Sequence, residues 1–323
     1  MKKILITGGS GFIGTNLVDF YSGRGFDVLN VDTDPPRDER HQKLWCRCDI
    51  LDRPKYQETL LNFSPDVLFH LAARTDLDGN TIEDYRANTE GVQNTIDVIK
   101  STDSIKRVVF ASSRMVCRID HIPSDEFDYC PPNAYGVSKV AGEKLVRRSA
   151  IERPWIIVRP TSIWGPWFDI PYKLFFNTIA KGSYFHPGAF DPDKSFGYVG
   201  NTVFELDQIV NAPEDSIDGK TIYLCDYPAI NVKNWANRIN AEMGKPPIRT
   251  IPFPLLKAAA KAGDFIKGVG VDGFPITSFR LNNLITEMVY DTSELASICG
   301  PLPYSMEEGV VETVAHMKQT KSI

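Results

Sequence analysis

Long hydrophobic runs and an excess of basic charge are both missing from this 323-residue sequence. Its longest apolar stretches, such as the one at 155–158, fall far short of the ~20 residues that a membrane-spanning helix needs. Lysine and arginine total 36 against 41 aspartates and glutamates, which gives a formal net charge of −5. Because non-specific binding to nucleic acid requires a dense basic surface, we expect neither a membrane nor a nucleic acid among the partners.

Cysteine and histidine are also scarce, with six and five residues. Only Cys46 and Cys48 are close in sequence, and no cluster has the spacing typical of a metal site. The N-terminal apolar stretch ends after Ile6, which is too early for a signal peptide. We therefore expect a cytoplasmic protein with reduced thiols, no disulfide and no bound metal.

Short β-branched runs alternate with longer amphipathic stretches through the first half of the chain. Predicted strands cover 3–7, 27–32, 67–71, 107–111 and 155–159, and predicted helices cover 12–23, 85–100 and 134–149. This alternation indicates βαβ units and a parallel sheet. The predicted fold class is α/β, with a doubly wound, Rossmann-like sheet whose ligand site lies at the carboxyl ends of its strands.

The pattern changes after Pro160, where proline and aromatic residues become frequent. We predict a nucleotide-binding domain at 1–165 and a smaller, irregular substrate lobe formed mainly by 166–323, with segments around 196–225 returning to the first domain. Later helical patterns cover 232–243 and 253–266. The glycine-rich segment 268–273 is predicted to form a loop.

Three glycines, Gly8, Gly11 and Gly14, directly follow the first predicted strand and open a helix. Glycine suits this position because the turn is tight and a diphosphate must approach the backbone closely. The N–H groups of the first helical residues, among them Phe12 and Ile13, would then face the diphosphate. The segment therefore predicts a dinucleotide site.

Asp32 ends the second predicted strand, where an acid accepts hydrogen bonds from the ribose hydroxyls of the adenosine. Its charge would repel a 2′-phosphate, so NAD is the predicted cofactor, although Arg37 and Arg40 lie close enough to accommodate NADP. Asp49 and Ile50 follow another strand-like stretch and could meet the adenine. A simple turn acid is an equally good interpretation of Asp49.

Tyr135 and Lys139 lie four residues apart on a predicted helix and therefore on one face. A nearby ammonium favours the phenolate, which makes Tyr135 a candidate general base near neutral pH. By spacing alone, such a pair is more often a surface contact than a catalytic one.

Taken together, these features resemble the extended short-chain dehydrogenase/reductase superfamily, in its NAD-dependent nucleotide-sugar epimerase/dehydratase branch. The matching residues, in the order and at the spacing of that family, are 7–14, Asp32, His70-Leu71-Ala72-Ala73, Asn88, Ala111-Ser112-Ser113, Tyr135, Lys139 and Val158-Arg159-Pro160. They cover roughly the first 165 residues, and 196–199 and 290–293 match more weakly.

The resemblance implies a role for each of these positions. It makes Ser113 the hydroxyl that holds the reacting oxygen, Tyr135 the acid/base, and Lys139 the residue that holds the nicotinamide ribose and lowers the Tyr135 pKa. Of two adjacent serines, one is expected to be structural, and the family's register favours Ser113 as the catalytic one. The other cofactor-contacting or supporting residues that the resemblance implies are Leu71, Ala72, Ala73, Asn88, Ser112 and Pro160.

Departures from the family pattern concern the substrate. Relatives that dehydrate nucleotide sugars carry an acid just after the catalytic hydroxyl, whereas Arg114 and Met115 follow Ser113 here. Elimination of water needs that acid, so dehydratase chemistry is disfavoured. The candidate substrate-binding residues are Thr75, Ser162 in place of a common asparagine, Lys194 in place of a common arginine, and Arg280, for which a solvated helix position is an equal alternative.

The predicted function is that of an NAD-dependent epimerase acting on a nucleotide sugar through a transient keto-sugar. The alternatives are a nucleotide-sugar 4-reductase or dehydrogenase, then a sterol-type 3β-hydroxy dehydrogenase, then a non-catalytic NAD-sensing protein. A homodimer is expected through the helices at 85–100 and 134–149. The apolar side chains considered available for that contact are Val92, Ile96, Val140 and Leu145.

Overall fold

A computed structural model describes residues 2–268 and 277–323. Its strands are β1 (Lys3–Thr7), β2 (Asp27–Asp32), β3 (Trp45–Arg47), β4 (Val67–His70), β5 (Arg107–Ala111), β6 (Trp155–Pro160), β7 (Ser162–Trp164), β8 (His186–Pro187), β9 (Asp193–Lys194), β10 (Phe196–Tyr198), β11 (Lys220–Leu224), β12 (Ile230–Asn231) and β13 (Thr250–Ile251). Its helices are α1 (Phe12–Gly23), α2 (Arg53–Phe63), α3 (Arg86–Lys100), α4 (Ala134–Arg148), α5 (Tyr172–Ala180), α6 (Val199–Asn211), α7 (Val232–Glu242), α8 (Phe253–Gly268), α9 (Ser278–Ile285), α10 (Ser293–Cys299) and α11 (Met306–Gln319).

Seven parallel strands form the main sheet, in the order β3-β2-β1-β4-β5-β6-β11. β1 pairs with β2 on one side, where Lys3 lies beside Asp27, and with β4 on the other, where Thr7 lies beside His70. The strand order reverses between β1 and β4, which is where a doubly wound sheet opens a crevice for a ligand. The predicted α/β, doubly wound fold is confirmed.

Helices cover both faces of the sheet. The strands are near-continuous apolar runs because a parallel sheet is buried on both sides. On one face, α1, α6 and α10 contribute to a core cluster that includes Leu17, Leu206 and Leu295. On the other face, α2 and α3 contribute to a second cluster, which includes Leu60 and Ile96.

The C-terminal half is more regular than predicted, because it is mainly helical. β11 and α6 belong to the main sheet and its covering layer. Much of the rest packs around a cluster of aromatic rings, in which Trp235 stacks on Phe175 at 4.8 Å and contacts Trp164 at 5.3 Å between ring centroids. Of the predicted glycine-rich loop at 268–273, only Gly268, the last residue of α8, lies within the described residues.

No helix in the described ranges is both long and apolar enough to cross a membrane. The prediction that Val92, Ile96 and Val140 are available for a dimer contact is wrong, because all three are buried within the chain's own core. Only Leu145 of the four is partly exposed.

Candidate active site

A glycine-rich turn joins β1 to α1 at the carboxyl edge of the sheet. Gly8 has a φ of +74°, which favours glycine, and a Cβ there would lie 2.6 Å from the backbone nitrogen of Ala72. A Cβ at Gly14 would lie 2.1 Å from the Gly8 carbonyl oxygen. Gly9 was not predicted as a site residue, yet a Cβ there would meet Asn30 Oδ1 at 2.3 Å. The close approach of backbone segments therefore requires glycine at Gly8 and Gly14, whereas a side chain at Gly9 would displace that of Asn30.

The first turn of α1 suits an anion. Its N-cap is Gly11, which has no side chain to cap the helix, and Thr15 donates its N–H to the Gly11 carbonyl at 2.8 Å. The N–H groups of Phe12, Ile13 and Gly14 belong to the first turn, whose donors have no partner within a helix. With the helix dipole, they fit the diphosphate of a dinucleotide.

Asp32 ends β2 beside this turn. Its carboxylate accepts hydrogen bonds from the N–H groups of Ser10, at 2.9 Å, and Asp34, at 3.1 Å. Burial raises the pKa of Asp32, and these hydrogen bonds act in the opposite direction. The acid is therefore held next to the glycine turn, where it suits the hydroxyls of a ribose.

Arg37 is engaged by the protein itself. Its guanidinium donates to the carbonyls of Ser10 and Trp167 at 3.0 and 2.8 Å, and it pairs with Asp169 at 2.8 Å. These contacts tie the glycine turn to the segment that follows β7. They leave Arg37 poorly placed to receive a 2′-phosphate.

Arg40 is also engaged, by Asp38 at 2.7 Å and Asp19 at 3.0 Å. The structure brings His41 close to the same two carboxylates, which its sequence position did not suggest, so that three possible metal-ligand atoms lie within 4.8 Å of one another. The guanidinium of Arg40 already supplies the positive charge at this cluster. Both arginines that could have accommodated NADP are thus committed elsewhere.

The segment after β3 contains Asp49 and Ile50. Asp49 is exposed and accepts a hydrogen bond from the N–H of Leu51 at 2.9 Å, as expected for a turn acid. Ile50 is buried, and its carbonyl accepts from the Asn94 side chain at 2.9 Å. The turn interpretation is therefore realised, and an adenine contact from these residues stays a prediction.

Residues 71–73 follow β4 and lie at the same edge as the glycine turn. The N–H of Leu71 donates to the Thr7 carbonyl at 3.0 Å, and that of Ala72 to the Thr7 hydroxyl at 3.2 Å. Because Gly8 packs against the backbone of Ala72, this segment forms one wall of the crevice beside β1.

Asn88 fixes that wall to α4. Its side chain exchanges hydrogen bonds with the backbone N–H and carbonyl of Arg74, at 2.9 and 3.0 Å, and donates to the Ser138 hydroxyl at 2.9 Å. Asn88 is almost fully buried. It therefore supports the segment structurally, in line with the buttressing role that the resemblance implied.

The two serines that follow β5 have different surroundings. The Ser112 hydroxyl donates to Glu143 Oε1 at 2.5 Å, and its N–H donates to the Val158 carbonyl. The Ser113 hydroxyl accepts a hydrogen bond from the N–H of Met115 at 3.1 Å and can still donate. Ser113 is therefore the serine whose hydrogen is available to a substrate oxygen.

Tyr135 lies in the first turn of α4, next to Ser113, and is buried. Burial raises its pKa, and the Ser113 hydroxyl and the charge of Arg114 act in the opposite direction. Lys139 lies with its Nζ 6.0 Å from the Tyr135 ring centroid and donates to the Ala111 carbonyl at 3.0 Å. Burial lowers the pKa of Lys139 to about 8.

Sequence reasoning missed the buried support behind these residues. Glu143, one turn after Lys139 on α4, accepts hydrogen bonds from Arg159, Ser112 and Tyr129. A charged arginine within the otherwise apolar β6, and a glutamate four residues after Lys139, were the signals that could have revealed it.

The candidate substrate residues divide into two groups. Ser162, at the start of β7, and Lys194, in β9, are buried. Thr75 is exposed beyond the wall formed by 71–73, and Arg280 is exposed on α9. Pro160 ends β6 at the same edge of the sheet as Ser113.

This architecture agrees with that of known proteins. The UDP-glucose 4-epimerase of Thermotoga maritima superposes with a TM-score of 0.74 over 99% of both chains, at 18% identity. The UDP-glucuronic acid 4-epimerase of Bacillus cereus, solved with NAD, superposes with a TM-score of 0.73 over 98% of this chain and 99% of its own, at 18% identity. At such identities the likeness shows the fold.

Sequence comparison extends the agreement. An undecaprenol-diphosphate-linked N-acetylglucosamine 4-epimerase from Escherichia coli O157:H7 is 24% identical over 321 residues, which cover 97% of this chain and 95% of the relative. A 3-beta-hydroxysteroid dehydrogenase from Mycolicibacterium neoaurum is 28% identical over 263 residues, 76% of this chain and 71% of the relative. The sequence profile of the NAD-dependent epimerase/dehydratase family matches residues 4–224. Because that match spans more than half of the chain, the protein belongs to the NAD-dependent epimerase/dehydratase family, and NAD is its cofactor.

Proposed function

We propose that this protein is an NAD-dependent epimerase that acts on a nucleotide sugar, with Ser113, Tyr135 and Lys139 as its catalytic residues. The proposal rests on the proximity of these three side chains. Ser113 follows the carboxyl end of β5, Tyr135 and Lys139 lie in the first two turns of α4, and the glycine turn after β1 is at the same edge of the sheet. A hydroxyl, a phenol and an ammonium in that arrangement suit the removal of a proton and a hydride from an alcohol.

The protein's own residues handle the proton. When bound, NAD would supply a hydride acceptor and donor for the sugar carbon, with the keto-sugar turning over before the hydride is returned to its opposite face, and its positively charged ring would favour the phenolate of Tyr135. Tyr135 takes the proton from the sugar hydroxyl and later gives it back. Ser113 donates a hydrogen bond to the same oxygen, since the N–H of Met115 uses only one lone pair of its hydroxyl and leaves the hydrogen available.

Lys139 supports Tyr135 electrostatically and orients the cofactor. Burial raises the pKa of Tyr135, so proton removal near neutral pH requires positive charge close by. Lys139 is four residues away on the same helix, and its ammonium is held at the Ala111 carbonyl at the end of β5. From there it can also reach a ribose hydroxyl.

The remaining cofactor contacts are proposed from position. Gly8, Gly11, Phe12, Ile13 and Gly14 would hold the diphosphate, as the open first turn of α1 suggests. The other proposed contacts, all from segments that follow strands of the sheet or support them, are Asp32, Asp49, Ile50, Leu71, Ala72, Ala73, Asn88, Ser112 and Pro160. For Ser112 this contact would use its carbonyl, since its hydroxyl and N–H are occupied.

The substrate side of the crevice favours a sugar diphosphate over a neutral sterol. Lys194 is almost fully buried, donates to the Asn283 carbonyl, and forms no ion pair with the described part of the chain. Such a cation suits a diphosphate.

Arg114 and Met115 follow Ser113 where a dehydratase needs an acid, which favours epimerisation over elimination. Retention of the three catalytic side chains argues against a protein that only senses NAD.

We also propose that the two parts of the chain bind different ligands, as expected from the sequence. Residues 1–165 would bind NAD, and 166–323 would mainly bind the sugar, with 196–225 returning to the sheet. The position of β11 beside β6 supports this return.

A screen of UDP-, GDP- and dTDP-sugars tests the proposal. We expect one sugar to change configuration, as followed by NMR, without stoichiometric release of NADH. Sustained NADH formation would establish the dehydrogenase alternative instead. An undecaprenyl-diphosphate-linked sugar is included as a second candidate, because the Escherichia coli relative of that specificity covers 97% of this chain. The matched control is Tyr135→Phe, which should bind NAD and turn over none of these substrates at the wild-type rate.

A further inference from the structure

Arg114 is held rigidly next to the proposed reaction centre. It directly follows Ser113 and begins the short 3-10 helix Arg114–Val116. The Ser113 hydroxyl accepts the N–H of Met115, and the Arg114 carbonyl accepts the N–H of Cys117 at 3.1 Å. A Cβ at Gly136 would lie 2.3 Å from the Met115 carbonyl oxygen, so this turn is pressed against the first turn of α4, where Tyr135 lies.

The positive charge of Arg114 acts on several buried side chains around the crevice, among them Tyr135. Burial raises the pKa of Tyr135, Tyr172 and Tyr290, and for each phenol the positive charge of Arg114 acts in the opposite direction. Burial lowers the pKa of Lys194 to about 8, and the charge of Arg114 adds to that effect. These four side chains come from different parts of the chain, so Arg114 lies where the sheet domain and the C-terminal half meet.

In the described part of the chain, this cluster has positive charge without a carboxylate to balance it. Within the described residues, neither Arg114 nor Lys194 has a carboxylate within 4.0 Å. The Tyr290 hydroxyl is buried and lies close to the Arg114 guanidinium, whose charge and hydrogen bonding oppose the rise of the Tyr290 pKa. Tyr290 is held in place by stacking on Tyr223, with ring centroids 4.2 Å apart. Two neighbouring cations repel each other in a partly buried site, and anionic groups of a ligand bound at each of them would relieve the repulsion.

The position of Arg114 identifies which anion it would meet. Ser113 holds the reacting oxygen in the proposed function, so the residue next to it lies near the ring carbons adjacent to that oxygen. The diphosphate is attached at the anomeric carbon and is the natural partner of Lys194. A planar guanidinium binds a carboxylate through two parallel hydrogen bonds. The anion at Arg114 is therefore expected on the sugar itself.

We propose that Arg114 is a specificity-determining residue that binds a carboxylate carried by the sugar ring, so that the substrate is the nucleotide derivative of an acidic sugar. Tyr290 adds a hydrogen bond to the same carboxylate. This inference rests on the proposed function and narrows its substrate class.

The experiment compares acidic and neutral sugars on the same nucleotide, beginning with UDP-glucuronic acid and UDP-glucose. Calorimetry on the NAD-loaded protein measures binding, and kcat/KM is measured for every sugar that is turned over. We expect the acidic sugar of a pair to be preferred. Arg114→Gln should reduce its binding and kcat/KM by about 10- to 100-fold, the loss expected for a hydrogen-bonded charge. Binding of the neutral sugar should be unaffected, whereas its kcat can change because the charge of Arg114 also acts on Tyr135. Arg114→Lys should recover part of the binding loss for the acidic sugar.

Arg118→Gln is the matched control, because it removes the same charge four residues later from an exposed side chain paired with Asp120. It should leave both sugars unchanged. Equal losses of binding affinity for both sugars in Arg114→Gln would overturn the proposal, since they would indicate a contact with the shared diphosphate, and so would the absence of any loss of binding. If wild-type protein binds no nucleotide sugar, the proposed function itself is overturned. If it binds acidic and neutral sugars equally, only the assignment of Arg114 fails.

Discussion

Arg159 and Glu143 form an ion pair inside the protein: Arg159 Nη2 lies 2.8 Å from Glu143 Oε2, and both side chains are almost completely excluded from solvent. A second hydrogen bond, from Arg159 Nε to Glu143 Oε1 at 2.9 Å, makes the pair bidentate. The hydroxyls of Ser112 and Tyr129 also donate to Glu143. The carboxylate thus joins β6, α4 and the end of β5 behind the proposed catalytic residues.

Glu143→Gln should destabilise the fold strongly. The variant leaves the buried guanidinium of Arg159 without a countercharge, and breaking a buried pair in this way typically costs about 3–5 kcal/mol. Urea unfolding followed by fluorescence measures the change in the free energy of unfolding. Glu90→Gln is the control, because Glu90 pairs with Arg86 on the surface of α3 and should cost less than about 0.5 kcal/mol. Equal effects of the two variants would contradict this account.

Two buried carboxyl groups make the stability depend on pH. Burial raises the pKa of Asp226 from 3.8 to about 7, and burial also raises that of Glu205, whose two oxygens have no hydrogen-bond partner among the described residues. Between the unfolded and folded pKa values, the native state holds more protons than the unfolded state. Stability therefore falls as pH rises from about 4 to 7.

Glu205→Gln should weaken that dependence, because glutamine keeps the shape and cannot ionise. The free energy of unfolding should decline less steeply with rising pH than in wild type. It is measured by urea unfolding at pH values between about 5 and 8, about one pH unit apart. Glu58→Gln changes an exposed glutamate and should leave the slope as it is. An unchanged slope in Glu205→Gln would show that this group does not ionise on unfolding.

Asp32 should set the preference for NAD over NADP. Its carboxylate is fixed by the N–H of Ser10, and the nearby Arg37 and Arg40 are paired with other acids. Asp32→Ser removes the charge that repels a 2′-phosphate, so the ratio of NADP to NAD affinity should rise by about 10-fold or more. Titration of both cofactors measures it, with Asp34→Ser as the exposed control. Tighter binding of NADP than NAD by the wild type would refute the assignment.

We further propose a homodimer through the outer faces of α3 and α4. Val137 is exposed and Leu145 partly exposed on α4, whereas the outer face of α3 carries polar residues such as Glu90. Light scattering at micromolar concentration should give twice the chain mass of 36.2 kDa. Val137→Glu should shift the protein towards monomer, because it places a charge on the apolar part of that face. If light scattering showed the wild-type protein to be a monomer, the proposed homodimer would be wrong.

The strands of the sheet were predictable because a buried parallel strand is a continuous apolar run. β1 and β2 match their predicted bounds for this reason, and α1 also matches its predicted bounds. α6 was not predicted, because Asn201 and Glu205 place polar groups on its buried side and obscure the helical period. The proposed catalytic residues could be identified from short ordered motifs. The cluster around Arg114 could not, since Tyr290 and Lys194 reach it only through the tertiary fold.

The final prediction concerns catalysis by Tyr135. Tyr135→Phe removes one hydroxyl and keeps the ring, so folding and NAD affinity should be retained. Transfer of a proton by a positioned side chain contributes about 10²–10⁴-fold, and kcat should fall by that order. Circular dichroism and NAD titration check that the variant is otherwise intact.

Two further variants separate the roles of the partners. Lys139→Met should reduce both kcat and NAD affinity, because one ammonium serves the ribose and the proton transfer. Ser113→Ala should lose less than either, since Tyr135 can still hold the substrate oxygen. If Tyr135→Phe turned over the true substrate at the wild-type rate, Tyr135 and Lys139 would form only a structural contact in α4. The acid/base would then have to be another group in the crevice, and Lys194, whose pKa burial lowers to about 8, would be the next residue to substitute.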